Sequence, residues 1–423
     1  MRKIKHIQLN EISKFSNEKW NLKDFHKEIF PYIEISEIDL SNGDVRNIQL
    51  IKIEEAPSRA RMIVKSNDII ISLTRPHRGA ISLIDSSKNN FIASTGFAIL
   101  REIDNQIIRK YLFIILRSQF CLTQMEQRSS GGNYPAITED ELKKILIPLP
   151  PLNIQNQIVG IMDNAYTEKK EKEKQAKELL DSIDDYVLGE LGIKIPQVEN
   201  KMCFSINSSE IEGRFDPFYY KIDFKVNREI ISKGKYPVSP INEIKDEIIK
   251  GKLPNETEKI GNNKVIQINC INADGSIDLE NLLTAKDIFQ ENQKLNQNDI
   301  LIVITGATIG KVSIWNNKGD FFLGGDIVKI KSKEDVNSYY VYAFLRTNVA
   351  QTEIKRNITG ATNGHLAPSD ILKFIIPLPP LEIQNKIADE VKRRMDTARR
   401  LQKVAAETLE AAKLEVERII FGV

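Results

Sequence analysis

The feature that most constrains this 423-residue chain is an internal duplication. Ile147-Pro-Leu-Pro-Pro-Leu-Asn-Ile-Gln-Asn-Gln-Ile158 returns as Ile376-Pro-Leu-Pro-Pro-Leu-Glu-Ile-Gln-Asn-Lys-Ile387, 229 residues later, with ten of twelve positions identical. Two more blocks repeat in the same order: Tyr111 to Arg117 parallels Tyr340 to Arg346, and Asp68 to Thr74 parallels Asp299 to Thr305. Ordered repetition at a nearly constant offset means two copies of one unit. Each copy reads as a globular domain followed by a helix.

The proline block predicts how each helix begins. Consecutive prolines fix an extended entry and lack the N–H donors that only a helix start can spare. No further proline occurs before Pro196 in the first copy, or after Pro380 in the second. In the second copy Val391, Met395, Ala398, Ala405, Leu409, Ala412, Val416 and Ile419 follow a heptad seam interrupted only at Gln402. The first copy offers Ile158 and Ile161, then a charged run from Glu168 to Lys174, then Leu180, Ile183 and Val187 in a shifted phase, which implies a stutter. At 1.5 Å per residue, such a helix makes a rod of roughly 57 Å. If the two rods pair antiparallel, the chain has a pseudo-two-fold arrangement with one domain at either end.

The domains read as mixed strand and helix. Short β-branched runs at Asp68–Leu73, Ala80–Ile84 and Gly96–Leu100 are mirrored by Asp299–Ile304, Lys311–Trp315 and Ile327–Ile330. Helices are expected over Ile107–Gln127 and Val336–Lys355. Between the first two strands of each copy lies a Gly- or Pro-marked loop, Thr74 to Gly79 and Thr305 to Gly310, and a polar loop precedes each rod. These loops hold the candidate DNA-contacting residues: Arg75, His77, Arg78, Arg128, Ser129, Asn133 and Tyr134 in the first copy, with Lys311, Lys355, Arg356, Asn357, Thr359, Asn363 and His365 in the second. Guanidinium and ammonium groups neutralise phosphates or grip a guanine edge, and asparagine amides match adenine. Taken singly, each also fits a solvated loop or a backbone-capping role.

Charge allows this reading without demanding it. The net charge is +2, and residues 1–152 carry 22 basic against 18 acidic side chains. Cys121, Cys203 and Cys270 form no CxxC pair and the four histidines are scattered, so neither a disulfide framework nor a zinc site is expected. No apolar run approaches the ~18 residues of a membrane span, and Met1 to Asn10 lacks the apolar stretch of a signal peptide. A cytoplasmic setting fits best. Gly306-Ala-Thr-Ile-Gly310-Lys311 is one residue short of a phosphate loop, and Asn272 to Glu280 reads better as a hairpin turn at Asp274-Gly275 than as a calcium loop. No catalytic motif stands out.

The doubled Ile-Pro-Leu-Pro-Pro-Leu-x-Ile-Gln-Asn block, the long helix after each, the Gly-Ala-Thr-Ile-Gly-Lys-Val run at 306–312 and Arg214-Phe-Asp-Pro-Phe-Tyr-Tyr220 together resemble the specificity subunit of a Type I restriction and modification system, over essentially the whole chain. The resemblance implies an α+β fold with two similar mixed α/β target recognition domains (1–150 and 193–379), separated by spacer helices (151–192 and 380–423) that form an antiparallel coiled coil. It implies double-stranded DNA as ligand, each domain reading half of a bipartite site, and a non-catalytic role. It also implies two modification (methyltransferase) subunits and restriction (endonuclease/translocase) subunits as partners. S-adenosylmethionine would then sit on the former, ATP and magnesium on the latter. The segment from Lys201 to Ser232 has no counterpart before the first domain, so that domain is either shorter or completed by the C-terminal helix. A coiled-coil scaffold with paired protein- or carbohydrate-binding domains is the alternative.

Overall fold

The computed structural model describes residues 4–20, 28–196, 204–207, 209, 211, 214–254, 261–280, 282–286, 289–360 and 364–422. The chain divides into two compact units, residues 1–174 with 401–423, and residues 175–400.

In the first unit, β1 (Lys5–Gln8) leads through α1 (Leu9–Ile12) to β2 (Ser13–Phe15), β3 (Ile29–Ile33), β4 (Gln49–Lys52), β5 (Ala60–Val64), β6 (Ile69–Ser72), β7 (Ile81–Leu83), β8 (Phe91–Ser94) and β9 (Phe97–Ile103). Helices α2 (Arg109–Leu116), α3 (Gln119–Gln127) and α4 (Glu139–Leu142) follow, then β10 (Leu146–Leu149) and the 39-residue α5 (Leu152–Glu190). Two four-stranded sheets form, ordered β2-β9-β6-β7 and β4-β3-β8-β5, and β1 pairs antiparallel with β10. Strand β6 explains the layering. All four of its residues are buried, because Ile69 and Ile71 point into the core shared with α2, α3 and α5, while Ile70 points into the core under the second sheet. A strand covered on both faces reads as an unbroken apolar run, and each isoleucine so buried contributes roughly 2 kcal/mol.

The second unit repeats the plan. After α6 (Ile222–Ser232) come β11 (Val238–Pro240), α7 (Ile241–Ile244), β12 (Lys245–Lys250), β13 (Asn263–Ile266), β14 (Leu283–Ala285), β15 (Ile300–Val303), β16 (Val312–Ile314), β17 (Phe321–Leu323) and β18 (Ile327–Ser332). Then follow α8 (Ser338–Leu345), α9 (Asn348–Arg356), α10 (Pro368–Ile371), β19 (Ile375–Pro377) and α11 (Leu381–Phe421). Sheet β12-β18-β15-β16 matches β2-β9-β6-β7 in order, and β11 pairs with β19 as β1 does with β10. In β15, Ile300 and Ile302 face one core and Leu301 and Val303 the other. The extra helix α6 buries Phe224 and Ile231, and Asn227 donates to the Val349 carbonyl at 2.8 Å.

Matched polar contacts lie inside both copies. Asn67 and Asn298 adopt left-handed backbone before the central strands, a conformation asparagine tolerates. Next to them Asp68 and Asp299 are buried and pair with Arg101 (2.9 Å) and Lys329 (3.4 Å). Tyr111 and Tyr340 donate to the carbonyls of Pro148 and Pro377 at 2.8 and 2.5 Å. The glutamine of each proline block is buried too. Gln155 accepts from the Ile108 amide and donates to the Gln106 and Pro150 carbonyls, and Gln384 accepts from the Asn337 amide and donates to Pro379. The repeated Ile-Gln-Asn thus ties the start of each long helix to its own domain.

Within each unit, the start of one long helix packs beside the end of the other. The first core takes Ile158, Met162 and Ala165 of α5 with Leu409, Ala412, Val416 and Ile420 of α11. The second takes Val187 and Leu188 of α5 with Ile387, Val391 and Met395 of α11. In that unit Glu190 pairs with Lys386 at 2.8 Å and Ser182 accepts from Arg394 at 2.8 Å, equal steps of eight in opposite directions, so the helices run antiparallel. Ala398 and Ala405 are also buried, while Leu180 and Ile183 are half-buried against the second core. Ile161 and Ile419 are half-buried against the first core, beside the fully buried Met162 and Ile420, as expected where a 3.6-residue helix drifts from a 3.5-residue pattern. The end of α11 completes the first unit, with Phe421 4.9 Å from Phe120.

The helices expected over Ile107–Gln127 and Val336–Lys355 are each broken in two. Ser118 donates to the Ile115 carbonyl and Thr347 to Phe344, local bonds that compete with helix propagation.

Candidate nucleic-acid interface

In each unit the two candidate loops meet. Thr74 and Ser130 both bridge to Ala136, and Thr305 and Thr359 both bridge to His365. The loop after the central strand and the loop before the long helix therefore form one edge, built identically in both copies.

In the first unit that edge borders a groove of ≈ 510 Å³ lined by Glu34, Arg59, Thr74, Arg75, Arg78 and Tyr134, among others. Arg75 sits in left-handed backbone at φ +48°, a strain of order 1 kcal/mol for a residue with a Cβ. The compensation is visible: its amide donates to the Pro135 carbonyl at 2.7 Å, its guanidinium donates to the Asn133 carbonyl at 3.0 Å, and it stacks 4.4 Å from the Tyr134 ring centroid. Buried Pro76 then turns the chain, leaving Arg78 exposed. Tyr134 is 72% exposed. His77 is half-buried, with Nδ1 lacking a hydrogen-bond partner among the described residues. Arg128 and Ser129 are engaged elsewhere, with Glu141 at 3.1 Å and the Met125 carbonyl at 2.7 Å, where they close α3.

The second unit differs. Arg356 and Asn357, expected on the surface, are 6% and 5% exposed. Arg356 lies 3.9 Å over the Tyr219 ring and donates to the Tyr219 carbonyl, and Asn357 donates to the Glu353 carbonyl at the end of α9. Lys311 donates to the Ile271 carbonyl at 3.0 Å. Thr359 donates to the His365 carbonyl, leaving Lys355 exposed beside them. Asn363 lies outside the described residues. A strand, β16, follows Gly310 where a phosphate loop needs a helix, and the Asn272 amide donates to the Ser276 carbonyl at 3.0 Å across a tight turn bridged by Ile271 and Ile277.

Sequence reasoning missed Arg59 and Glu34. Glu34 follows β3 and Arg59 precedes β5, the two strands that flank β8 in one sheet, and no local pattern announces that both line the groove. Among the described residues, no cluster of His, Cys, Asp or Glu could hold a metal and no helix is long and apolar enough to cross a membrane.

Paired mixed α/β domains, each carrying a loop edge and sharing two long helices, define a duplicated recognition module. The profile of the Type I restriction modification DNA specificity domain matches residues 1–181 and again 221–409, and the chain belongs to that family. It is 24% identical over 160 residues to the HindI specificity subunit of Haemophilus influenzae, covering 37% of this chain and 34% of that one. It is 22% identical over 393 residues to the MjaIX specificity subunit of Methanocaldococcus jannaschii, covering 91% and 84%. Two solved structures share the fold: a chain of a type I R-M system at TM-score 0.57, 21% identity and 99% and 97% coverage, and the S subunit from M. genitalium at 0.53, 13% and the same coverage. The alternative of a protein- or carbohydrate-binding scaffold is not favoured.

Proposed function

We propose that this chain is the non-catalytic DNA-reading subunit of a Type I complex. Each recognition domain takes one half of a bipartite duplex site through its paired loops. Arg59, Arg75 and Arg78 neutralise phosphates or contact base edges in one half, and Lys355 with the Thr305–Gly310 and Thr359–His365 loops serves the other. The helix pair sets the half-site separation and docks two modification subunits, which carry S-adenosylmethionine. Restriction subunits, where present, carry ATP and magnesium. The setting is the cytoplasm.

The observation that carries this reading is the same two-loop edge built twice on one frame. Methylome sequencing of a host strain with and without the gene tests it: a two-part motif with a fixed spacer appears only with the gene. No gene-dependent motif in a strain expressing the modification subunits refutes the reading. Lengthening both long helices by about two turns lengthens the tolerated spacer, read in the same way.

A further inference from the structure

Two turns, one in each unit, are built alike and lie outside the reading loops. In the first, Asp39 to Asp44 is seated on Arg117, whose guanidinium donates to the Ile81 and Leu40 carbonyls, both at 3.0 Å. Gly43 is buried there at φ +83°, and a Cβ would lie 2.7 Å from the Ile81 oxygen. Lys169 of α5 donates to Ser41 Oγ at 3.2 Å, and Arg46 pairs with Asp39. In the second, Asn272 to Ser276 is seated on Arg346, which donates to the Asp274 carbonyl and, at 2.6 Å, to the Tyr342 hydroxyl. Gly275 is buried at φ +79°, and a Cβ would lie 2.5 Å from that hydroxyl. Only glycine fits either seat, for conformation and for space.

The charges are matched as well. Burial, the largest single influence, pushes both aspartate carboxyls up, yet both end below the ordinary range. For Asp39, hydrogen bonds from Ser41 and the charges of Arg46 and Lys169 outweigh burial. For Asp274, hydrogen bonds from Ser276 and the charges of Arg399 on α11 and of Arg346 do so. Arg117 and Arg346, Lys169 and Arg399, and Gly43 and Gly275 stand 229, 230 and 232 residues apart, the offset of the duplication itself. In the first seat hydrogen bonds join a recognition-domain turn, the helix end beneath it and Lys169 of α5; in the second the turn rests on Arg346 and Tyr342, whose hydroxyl lies 3.6 Å from Met395 Sδ of α11, and Arg399 acts on Asp274 through its charge.

We propose that Arg117 with Lys169, and Arg346 with Arg399, are positioning residues that lock each recognition domain at a set angle to the long helix of its own unit, and thereby fix the separation at which the half-sites are read. The proposal rests on the DNA-reading function above. A turn that only stabilised its domain would need no tie to the long helix, and both copies, which differ in their reading loops, have one: Lys169 to Ser41 in the first, Tyr342 to Met395 in the second.

The experiment uses the full chain in the complete complex. Lys169→Gln and Arg399→Gln, with Lys169→Arg as the conservative control, are compared with the unsubstituted protein by methylome sequencing. The glutamine variants keep the half-site bases and stay within twofold at the native spacing, while methylation at spacers one base pair longer or shorter rises at least fivefold. Lys169→Arg restores the native selectivity. Unchanged spacer selectivity in both glutamine variants overturns the proposal. So does an equal fall at every spacing, which would leave only a fold-supporting role, or a change in the bases read. Failure of the underlying function shows separately, as absence of a two-part motif in the unsubstituted arm.

Discussion

The two recognition domains share a frame down to single hydrogen bonds, yet present different surfaces at the matching edge. The first places Arg59, Arg75, Arg78 and an exposed Tyr134 around a groove, whereas the second offers the neutral run Gly306-Ala-Thr-Ile-Gly310 and draws Arg356 inward onto Tyr219. Tyr111 and Tyr340, Gln155 and Gln384, and Asp68 and Asp299 do the same work in both copies. Buried polar groups left without partners are costly, so a frame made of them tolerates little change. Loop side chains facing water carry no such penalty and are free to diverge.

The largest expected effect separates the halves altogether. Replacing residues 1–146 with the same region of a relative changes one half-site completely and leaves the other intact, as read by methylome sequencing. Loss of both halves would show that the domains do not read independently.

A smaller effect tests the charge difference. Arg59→Gln and Arg78→Gln should each reduce the slope of log K against log salt by about one, weakening binding evenly across sequences if they neutralise phosphates. Titration of duplex DNA at several salt concentrations measures this. Relaxed preference at a single base pair would instead assign that arginine to base reading. Thr308→Gln, in the matching neutral loop, leaves the slope unchanged.

How much of this was legible in the sequence follows from what kind of interaction is involved. Strands β6 and β15 announce themselves because burial on both faces writes an unbroken apolar run. The long helices do so because two prolines start them and nothing stops them. The interior place of Arg356 was not legible, since its partner Tyr219 lies 137 residues away and residue type says nothing about which ring a guanidinium will find. The glycine seats escaped for another reason: Asn42-Gly43-Asp44 and Asp274-Gly275-Ser276 share too few residues to register as a repeat until Arg117 and Arg346 are seen beneath them. Gln155 and Gln384 stood in the repeated block, but spacing alone could not reveal that their amides close onto backbone.

Those glutamines give the third test. Gln155→Ala strands one buried amide and two carbonyls, and Gln384→Ala strands one of each, so the first costs about 2–4 kcal/mol and the second somewhat less. Urea unfolding of each variant, followed by separate probes in the two units, shows whether the ranking holds. Equal losses would mean that the two clamps carry the same weight despite their different partners.

The smallest effect concerns acid. Asp39 and Asp274 have lowered pKa values in the fold, so near the ordinary carboxylate range the folded state binds fewer protons than the unfolded one. The stability they contribute is fully present above the unfolded-state value of about 3.9 and is lost as pH falls through the folded values. Asp39→Asn and Asp274→Asn should therefore each flatten the fall in stability below about pH 5, measured as the urea midpoint against pH. The two seats divide here, because Asp39 draws on Arg46 just after its own turn as well as on Lys169, whereas the cations acting on Asp274 come from the end of α8 and from α11. Arg399→Gln should then remove part of the acid dependence of the second unit, while Lys169→Gln leaves more of that of the first in place.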